Sequence, residues 1–463
     1  MSAPAIARTD ASAARLRRFK PYPAYQDSGA EWLGEIPAHW VVERLRSTIS
    51  GSQNGVWGDE PDGVHDVICV RVADFNRIAF TVDITDPTLR SIEPRAMAAR
   101  ELRPGDLLLE KSGGGEQQPV GAVVMYDHSV PAVCSNFIAR LTIASEYDSR
   151  FLTYLHAALY SQRINTRHIK QSTGIQNLDS PSYFGEKVGI PPAREQRAIA
   201  ALLDRETARI DALIARKKGL IELLQEKRAA LITQAVTKGL DPSVPMKDPG
   251  VEWLGEIPAH WEAERIKWKA AMVSGHTPDK KVDSYWQDGD IPWVSLADTQ
   301  QLREVDYIAN TAVMTTADGI AHSSAHLLPP GTVVFSRDAT IGLCAITRGA
   351  VAVSQHFIGW VCGSHLQPEY LLFVLRSMTE ELERVTMGAT VSTIGMTDVR
   401  RLVAPIPPMQ EQQEIVLHIQ RQRAQLDTLI GKVSTAIARL KEFRIALISA
   451  AITGKIDVRE EVA

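Results

Sequence analysis

Cysteine is scarce in this chain. Only Cys69, Cys134, Cys344 and Cys362 occur in 463 residues, none in a CxxC pair and all within apolar runs. That usage speaks against a thiolate metal site or a disulfide framework and predicts buried, reduced thiols, as in a reducing cytoplasm. No run of about 18 apolar residues exists, so no segment is expected to span a membrane. The first twenty residues carry Arg8, Arg15, Arg17 and Arg18 without the apolar stretch of a secretory signal, and read as a tail. An excess of positive charge is missing too. Fifty-one Lys and Arg stand against 55 Asp and Glu, a formal charge of −4, which excludes a uniformly basic nucleic-acid coat but not a local basic face.

Catalytic signatures are also wanting. No GxxxxGK[ST] phosphate loop occurs, and Gly113-Gly114-Gly115 lacks the trailing lysine and helix. Pro191-Pro192 and Pro407-Pro408 are followed by Ala193 and Met409, not by the aromatic that amino-methyltransferases place there. Asp106 with Glu110 and Lys111 falls short of a nuclease triad, because adjacent strand residues point to opposite faces. The twelve histidines do not point to zinc. No cofactor and no metal are expected, and the chain is not read as an enzyme.

What is present is a repeat. Glu31-Trp32-Leu33-Gly34-Glu35-Ile36-Pro37-Ala38-His39-Trp40 returns unchanged as Glu252 to Trp261. Ile190-Pro191-Pro192 recurs as Ile406-Pro407-Pro408, and Glu195, Gln196, Asp211, Arg228 and Asp241 answer to Glu411, Gln412, Asp427, Arg444 and Asp457. Each copy is box, middle, helix. The prolines and glycines of the box forbid a helix while its tryptophans demand burial, which predicts a strap docked on the repeat's own core.

The middles read as short strands with some helix: Val67–Val72, Leu107–Leu109, Gly121–Met125 and a helix from Phe151 in the first. Ile291–Asp298, Val333–Phe335 and a helix from Tyr370 follow in the second. The fold class is thus α+β in two tandem repeats, each a globular mixed α/β middle followed by a long helix. Apolar residues recur by sevens at Leu203, Ile210, Leu224 and Leu231, with Leu213 and Leu220 in a companion row. The second copy has Ile419, Leu426, Val433, Leu440 and Leu447, with Leu429 alongside. Such seams face another helix, and the economical partner is the other helix of the same chain, antiparallel to it. Ala193 to Lys238 would form a rod of about 70 Å.

Polar loops close each middle, and their side chains suit base edges: Arg or Lys for guanine, Gln or Asn for adenine, Gly for close approach. The first set is Lys111, Ser112, Gln117, Gln118, Gln171, Ser172, Thr173, Gln176 and Asn177, with Arg71 on the preceding strand. The second is Ser336, Arg337, Asp338, Thr340, Thr390, Ser392 and Thr393, with Ser295 standing where Arg71 stood. Between Arg194 and Lys238 ten Lys and Arg outnumber six Asp and Glu, a solvated face with a secondary capacity for phosphate contacts.

The tandem layout, the Trp-Leu-Gly-Glu-Ile-Pro-x-His-Trp box, the Ile-Pro-Pro-x-x-Glu-Gln helix start, and the endings Lys238-Gly239-Leu240-Asp241 and Gly454-Lys455-Ile456-Asp457 together resemble the specificity subunits of type I DNA restriction–modification systems. The resemblance covers nearly the whole chain. It implies target-recognition domains at 21–190 and 242–406, with boxes at 31–40 and 252–261, and long helices at 191–241 and 407–463. Residues 1–20 lie outside the shared pattern. Each domain would read one half of an asymmetric bipartite site in double-stranded DNA. The helical pair would set the spacer and dock two methyltransferase subunits, with motor–nuclease subunits joining them. The N-terminal box would dock near the end of the second helix. The rival reading is a non-catalytic coiled-coil adaptor that binds proteins through two heads.

Overall fold

The computed structural model describes residues 19–172, 174–386 and 392–459. The tail, apart from Phe19 and Lys20, lies outside them. The chain forms two compact units, one of residues up to Lys218 together with those from Ser434, the other Gly219–Val433. Each holds one globular middle, part of the long helix Ala193–Lys238 and part of the long helix Met409–Ile452. Among the described residues no helix is long and apolar enough to cross a membrane.

In the first unit Leu107–Glu110 is the fully buried centre of a six-stranded sheet. It pairs antiparallel with Ile138–Ile143 on one side and Val123–Met125 on the other. Ile49–Asn54 lies beyond the former, and Thr81–Val82 runs parallel to the latter. A smaller sheet places Asp66–Val70 between Ala132–Cys134 and Leu89–Ser91. Helix Ser149–Ser161, capped by the Asp148 carboxylate on Phe151 N, buries Phe151, Leu152, Tyr154, Leu155 and Leu159.

The second unit repeats this order. Val333–Ser336 is its buried centre, flanked by Phe357–Cys362 and Cys344–Thr347, with Ala270–Ser274 and Tyr307–Ile308 outermost. The small sheet is Met314–Thr315, Ile291–Val294 and Ala352–Val353. Runs of Leu or Val buried on both faces select a central strand in both copies.

The box and the Glu-Gln pair explain one another. In the first unit Tyr25–Asp27 and Glu35–Pro37 form an antiparallel strap that sinks Leu33, Ile36 and Trp40 to 2% exposure or less. Trp40 Nε1 donates to Glu195 Oε1 at 2.9 Å, His39 Nε2 meets Glu195 Oε2 at 2.8 Å, and the Tyr22 hydroxyl donates to Oε1 at 2.5 Å. Burial, reinforced by that carboxylate, pushes the Tyr22 phenol far above its usual range. Gln196 ties the helix start to both flanks: its Oε1 accepts Asp148 N and its Nε2 donates to Pro191 O. The second unit reproduces the joint with His260 on Glu411 at 2.9 Å and with Gln412 receiving Gln367 N and donating to Pro407 O.

The glycine that ends each long helix meets a box. Gly454, at φ +67°, lies where a Cβ would fall 2.2 Å from Pro37 Cδ. Gly239, at φ +74°, lies against Trp261 and Glu411. The N-terminal box therefore docks on the end of the second helix, as the resemblance implied. Further along, Arg444 reaches Asp211 at 3.1 Å in the first unit, and Arg228 reaches Asp427 at 2.8 Å in the second.

The seam needs correction. Leu203, Ile210, Ile419, Leu426, Leu440 and Leu447 are buried, and Leu224, Leu231 and Val433 are half-buried. Leu213, Leu220 and Leu429 are exposed at 39, 43 and 46%. Near its ends each helix packs against a globular layer as well, so a wide arc is covered. Away from that layer the covered stripe still has two rows, but the second runs one residue beyond the row counted. It passes through Ile214, Ile221 and Arg228 in the first helix and Arg423, Ile430, Ile437 and Arg444 in the second, so the counted companion row faces out. Ile214 and Ile437, which do not fall in the rows counted by sevens, are buried instead.

Candidate nucleic-acid interface

In the first unit the long-separated polar segments meet at one end of the central strand. Ser112–Gly113 pairs with Asn177 and Gln176, and Ile175–Leu178 pairs in turn with Ile169–Ser172. The stretch from Gln171 to Leu178, expected as a loop, is thus largely a hairpin. Gln176 and Leu178 turn inward while Ile175 and Asn177 face the other way, a strand period, and Gly174 at φ +84° supplies the turn. Ser112 Oγ donates to Asn177 Oδ1 at 2.7 Å. Gln171, Gln117 and Gln118 are exposed and Lys111 is half-buried. Gln176 is a correction: it is 8% exposed, and its Oε1 accepts Val120 N, so it holds the loop rather than presenting an amide. Thr173 and the Ser172 side chain lie outside the described residues.

Arg71 caps a short turn with Asp74, which accepts its Nη2 at 2.8 Å and its backbone N at 2.7 Å. Its side chain, 39% exposed, lines a groove of about 440 Å³ together with Trp57, Ser112, Gly113, Asn136 and Phe137. Glu110 floors that groove. Burial raises its carboxyl above the usual range although Arg77 stands 2.9 Å away. Asp106 binds Arg140 at 2.7 Å. Both carboxylates of the discarded nuclease reading are therefore spent on arginines.

The second unit makes the same juxtaposition with other side chains. Asp338 bridges to Thr393 as Ser112–Gly113 does to the hairpin, and Ala339 N bonds Ser392 O. Asp338 is buried; it accepts from Thr393 Oγ1 and from His356 Nδ1 at 2.9 Å. Arg337 donates to the carbonyls of Gln355 and Ile394. Thr340 is half-buried and Ser392 exposed. Thr390 lies outside the described residues. Two further corrections arise here. Ser295, 7% exposed, caps the turn Leu296–Asp298, and Ser336, fully buried, binds Thr340 O and Leu343 N. Both build the loops from below, because hydroxyls next to a turn are drawn to its backbone groups.

A turn that sequence reading passed over joins each cluster. Ser135-Asn136-Phe137 and Ser354-Gln355-His356 occupy equivalent places: Lys111 N bonds Phe137 O and Arg337 N bonds His356 O. The shared Ser-Asn/Gln pattern before an apolar strand was the available signal. Gly55 and Gly275 mark the spot, since a Cβ on Gly55 would lie 2.2 Å from Ser135 O and one on Gly275 2.0 Å from Ser354 O.

The four thiols are pushed up to about 11 or 12 by burial and are held as neutral core groups. His322 and His326 are four apart, but helix Ala317–Ala321 ends before them. Among the described residues no three His, Cys, Asp or Glu side chains are grouped to hold a metal.

Residues 259–437 match the family model for the type I restriction modification DNA specificity domain. The MjaIX specificity subunit of Methanocaldococcus jannaschii is 29% identical over 35% of this chain and 38% of its own length. The putative MjaX specificity subunit of the same organism is 21% identical over 92% of this chain and 96% of its own. The EcoKI specificity subunit of Escherichia coli K12 is 20% identical over 91% and 90%. Among solved structures, a chain from work on complex assembly and conformational transition of the type I R-M system superposes with a TM-score of 0.65 at 18% identity, over 90% of this chain and 98% of that one. The HsdS subunit from Thermoanaerobacter tengcongensis gives 0.55 at 16%, over 91% and 98%. With box, helix start and strand order all present in duplicate, the chain is similar along most of its length to the specificity subunits of type I restriction–modification systems.

Proposed function

We propose that this chain selects the DNA site of a type I restriction–modification assembly, each globular middle reading one half of an asymmetric, bipartite sequence. The observation that carries the reading is the duplicated loop cluster. One scaffold appears twice, bringing the same segments together at the same end of the same strand, and only the side chains at the tip differ. A scaffold kept constant under changed polar tips fits a reader of two unlike half-sites.

The two long helices act as an antiparallel coiled coil. Within the first unit Glu195 and Gly454 both meet Trp40, while Asp211 meets Arg444. One helix therefore ascends in number as the other descends. Such a rod fixes the unread spacer. Its outward leucines, Leu213, Leu220 and Leu429, offer apolar surface to helices of two methyltransferase subunits, with motor–nuclease subunits added around that core. Methylation and cleavage reside in those partners, and the chain contributes binding and register without a cofactor. With a net charge of −4, phosphate affinity falls chiefly to local cations and to the partners.

Genome-wide adenine methylation, read by single-molecule sequencing with and without the gene, tests this. Loss of one bipartite motif on deletion is the expected result. An unchanged methylome in a cell whose partner subunits are expressed contradicts it.

A further inference from the structure

Phe137 and His356 are one position in two copies. Each is the last residue before a central strand (Ile138–Ile143 or Phe357–Cys362), and each carbonyl receives the amide that opens the neighbouring polar loop. The turns they sit on are fixed from below in the same way, with Ser135 N on Val70 O and Ser354 N on Val294 O, both at 2.9 Å. Yet their surroundings diverge. Phe137 is 44% exposed beside Trp57, itself 38% exposed, at the lip of the groove that Arg71 lines. A large ring left this open, on a turn held this firmly, covers no core of its own. His356 is held by Asp338, 2.9 Å from its Nδ1. A carboxylate accepts, so Nδ1 donates to it and Nε2 is the ring nitrogen left to accept, on a side chain 35% exposed and 3.4 Å from the Gln355 amide nitrogen.

Resting on the half-site reading above, we propose that this pair is a specificity position. Phe137 reads a thymine through its C5-methyl group, and His356 reads the amino group of an adenine or cytosine. The major groove offers few apolar features, and the thymine methyl is the one that a phenyl edge recognises. An outward ring acceptor is met there by adenine N6 or cytosine N4. Trp57 and Arg71 then flank the methyl contact, the latter with its guanidinium oriented by Asp74.

The test uses the chain assembled with its methyltransferase subunits, on duplexes bearing its bipartite motif. Thymines of each half are replaced singly by deoxyuridine, which removes only the methyl group. One such replacement should weaken wild-type binding roughly four-fold, the value of burying a single methyl-sized group. Phe137→Ala should bind both duplexes alike, and Phe137→Leu, which keeps an apolar contact, should retain the discrimination. His356→Ala should relax one adenine or cytosine in the opposite half. If Phe137→Ala still discriminates as the wild type does, or if His356→Ala leaves its half unaltered, the assignment is overturned while the half-site reading stands. If the wild-type assembly does not prefer the motif to a scrambled duplex, the half-site reading itself has failed.

Discussion

Glu195 and Glu411 open the same helix in the two units, yet they do different amounts of holding. Glu195, 6% exposed, gathers Tyr22, His39 and Trp40. Glu411, 26% exposed, receives His260, and the indole N–H of Trp261 has no partner among the described residues. The helix-ending glycines differ in the same sense. A Cβ at Gly454 would lie 2.2 Å from Pro37 Cδ, whereas one at Gly239 would lie 3.2 Å from Trp261 Cζ2, a tight approach that a shift of a few tenths of an ångström relieves. The joint in the first unit is therefore the tighter one. The tips show the reverse. The second unit's loop is stitched by Arg337, Asp338, His356 and Thr393, whereas the first leaves Phe137, Gln117 and Gln118 open. Identical sequence in the boxes thus does not mean identical energetics, because what the box meets was free to vary.

The largest effect expected from this contrast is at the glycines. Gly454→Ala combines a left-handed backbone with a clash against a proline ring, and should cost about 3 kcal/mol or more. Gly239→Ala meets mainly the backbone penalty of about 1 kcal/mol. Calorimetric unfolding should show the larger fall in Tm for the first; equal falls would break the contrast.

A smaller difference is expected at the carboxylates. Glu195→Ala strands two buried donors, Tyr22 and Trp40, besides the exposed His39, and should cost about 3 kcal/mol. Glu411→Ala removes a half-exposed pair worth about 1 kcal/mol. Denaturant midpoints of the two variants measure this, and a Glu411 variant as damaged as the Glu195 one would show that the indole bond at Trp40 contributes little.

The repeat, the strap, the buried central strands and the helix limits were legible because each follows from local pattern: a duplicated decapeptide, all-apolar strand runs, proline starts and glycine stops. Gln196 and Gln412 were visible as a motif, though their bonds to Asp148 and Gln367 were not. The site was legible only as polar loops. That Ser112 would pair with Asn177, or Asp338 with Thr393, depends on chain brought together across some sixty residues. Ser295 and Ser336 carry side chains that suit DNA but spend them on turns. Phe137 escaped notice because an aromatic before a strand reads as core, and only its exposure gives it away. The outward leucines escaped because apolar residues stand in two adjacent rows, Leu213, Leu220 and Leu429 beside Ile214, Ile221 and Ile430, and a count by sevens does not say which of the two is covered.

The proposed half-site reading assigns each globular middle its own half of the site. Replacing residues 41–189 with the corresponding middle of a type I specificity subunit, and sequencing the methylated motif that the hybrid produces with the partner subunits, tests this. The expected motif has one half exchanged, the other half retained and the spacer unchanged. A hybrid in which both halves change, or in which neither does, would contradict it.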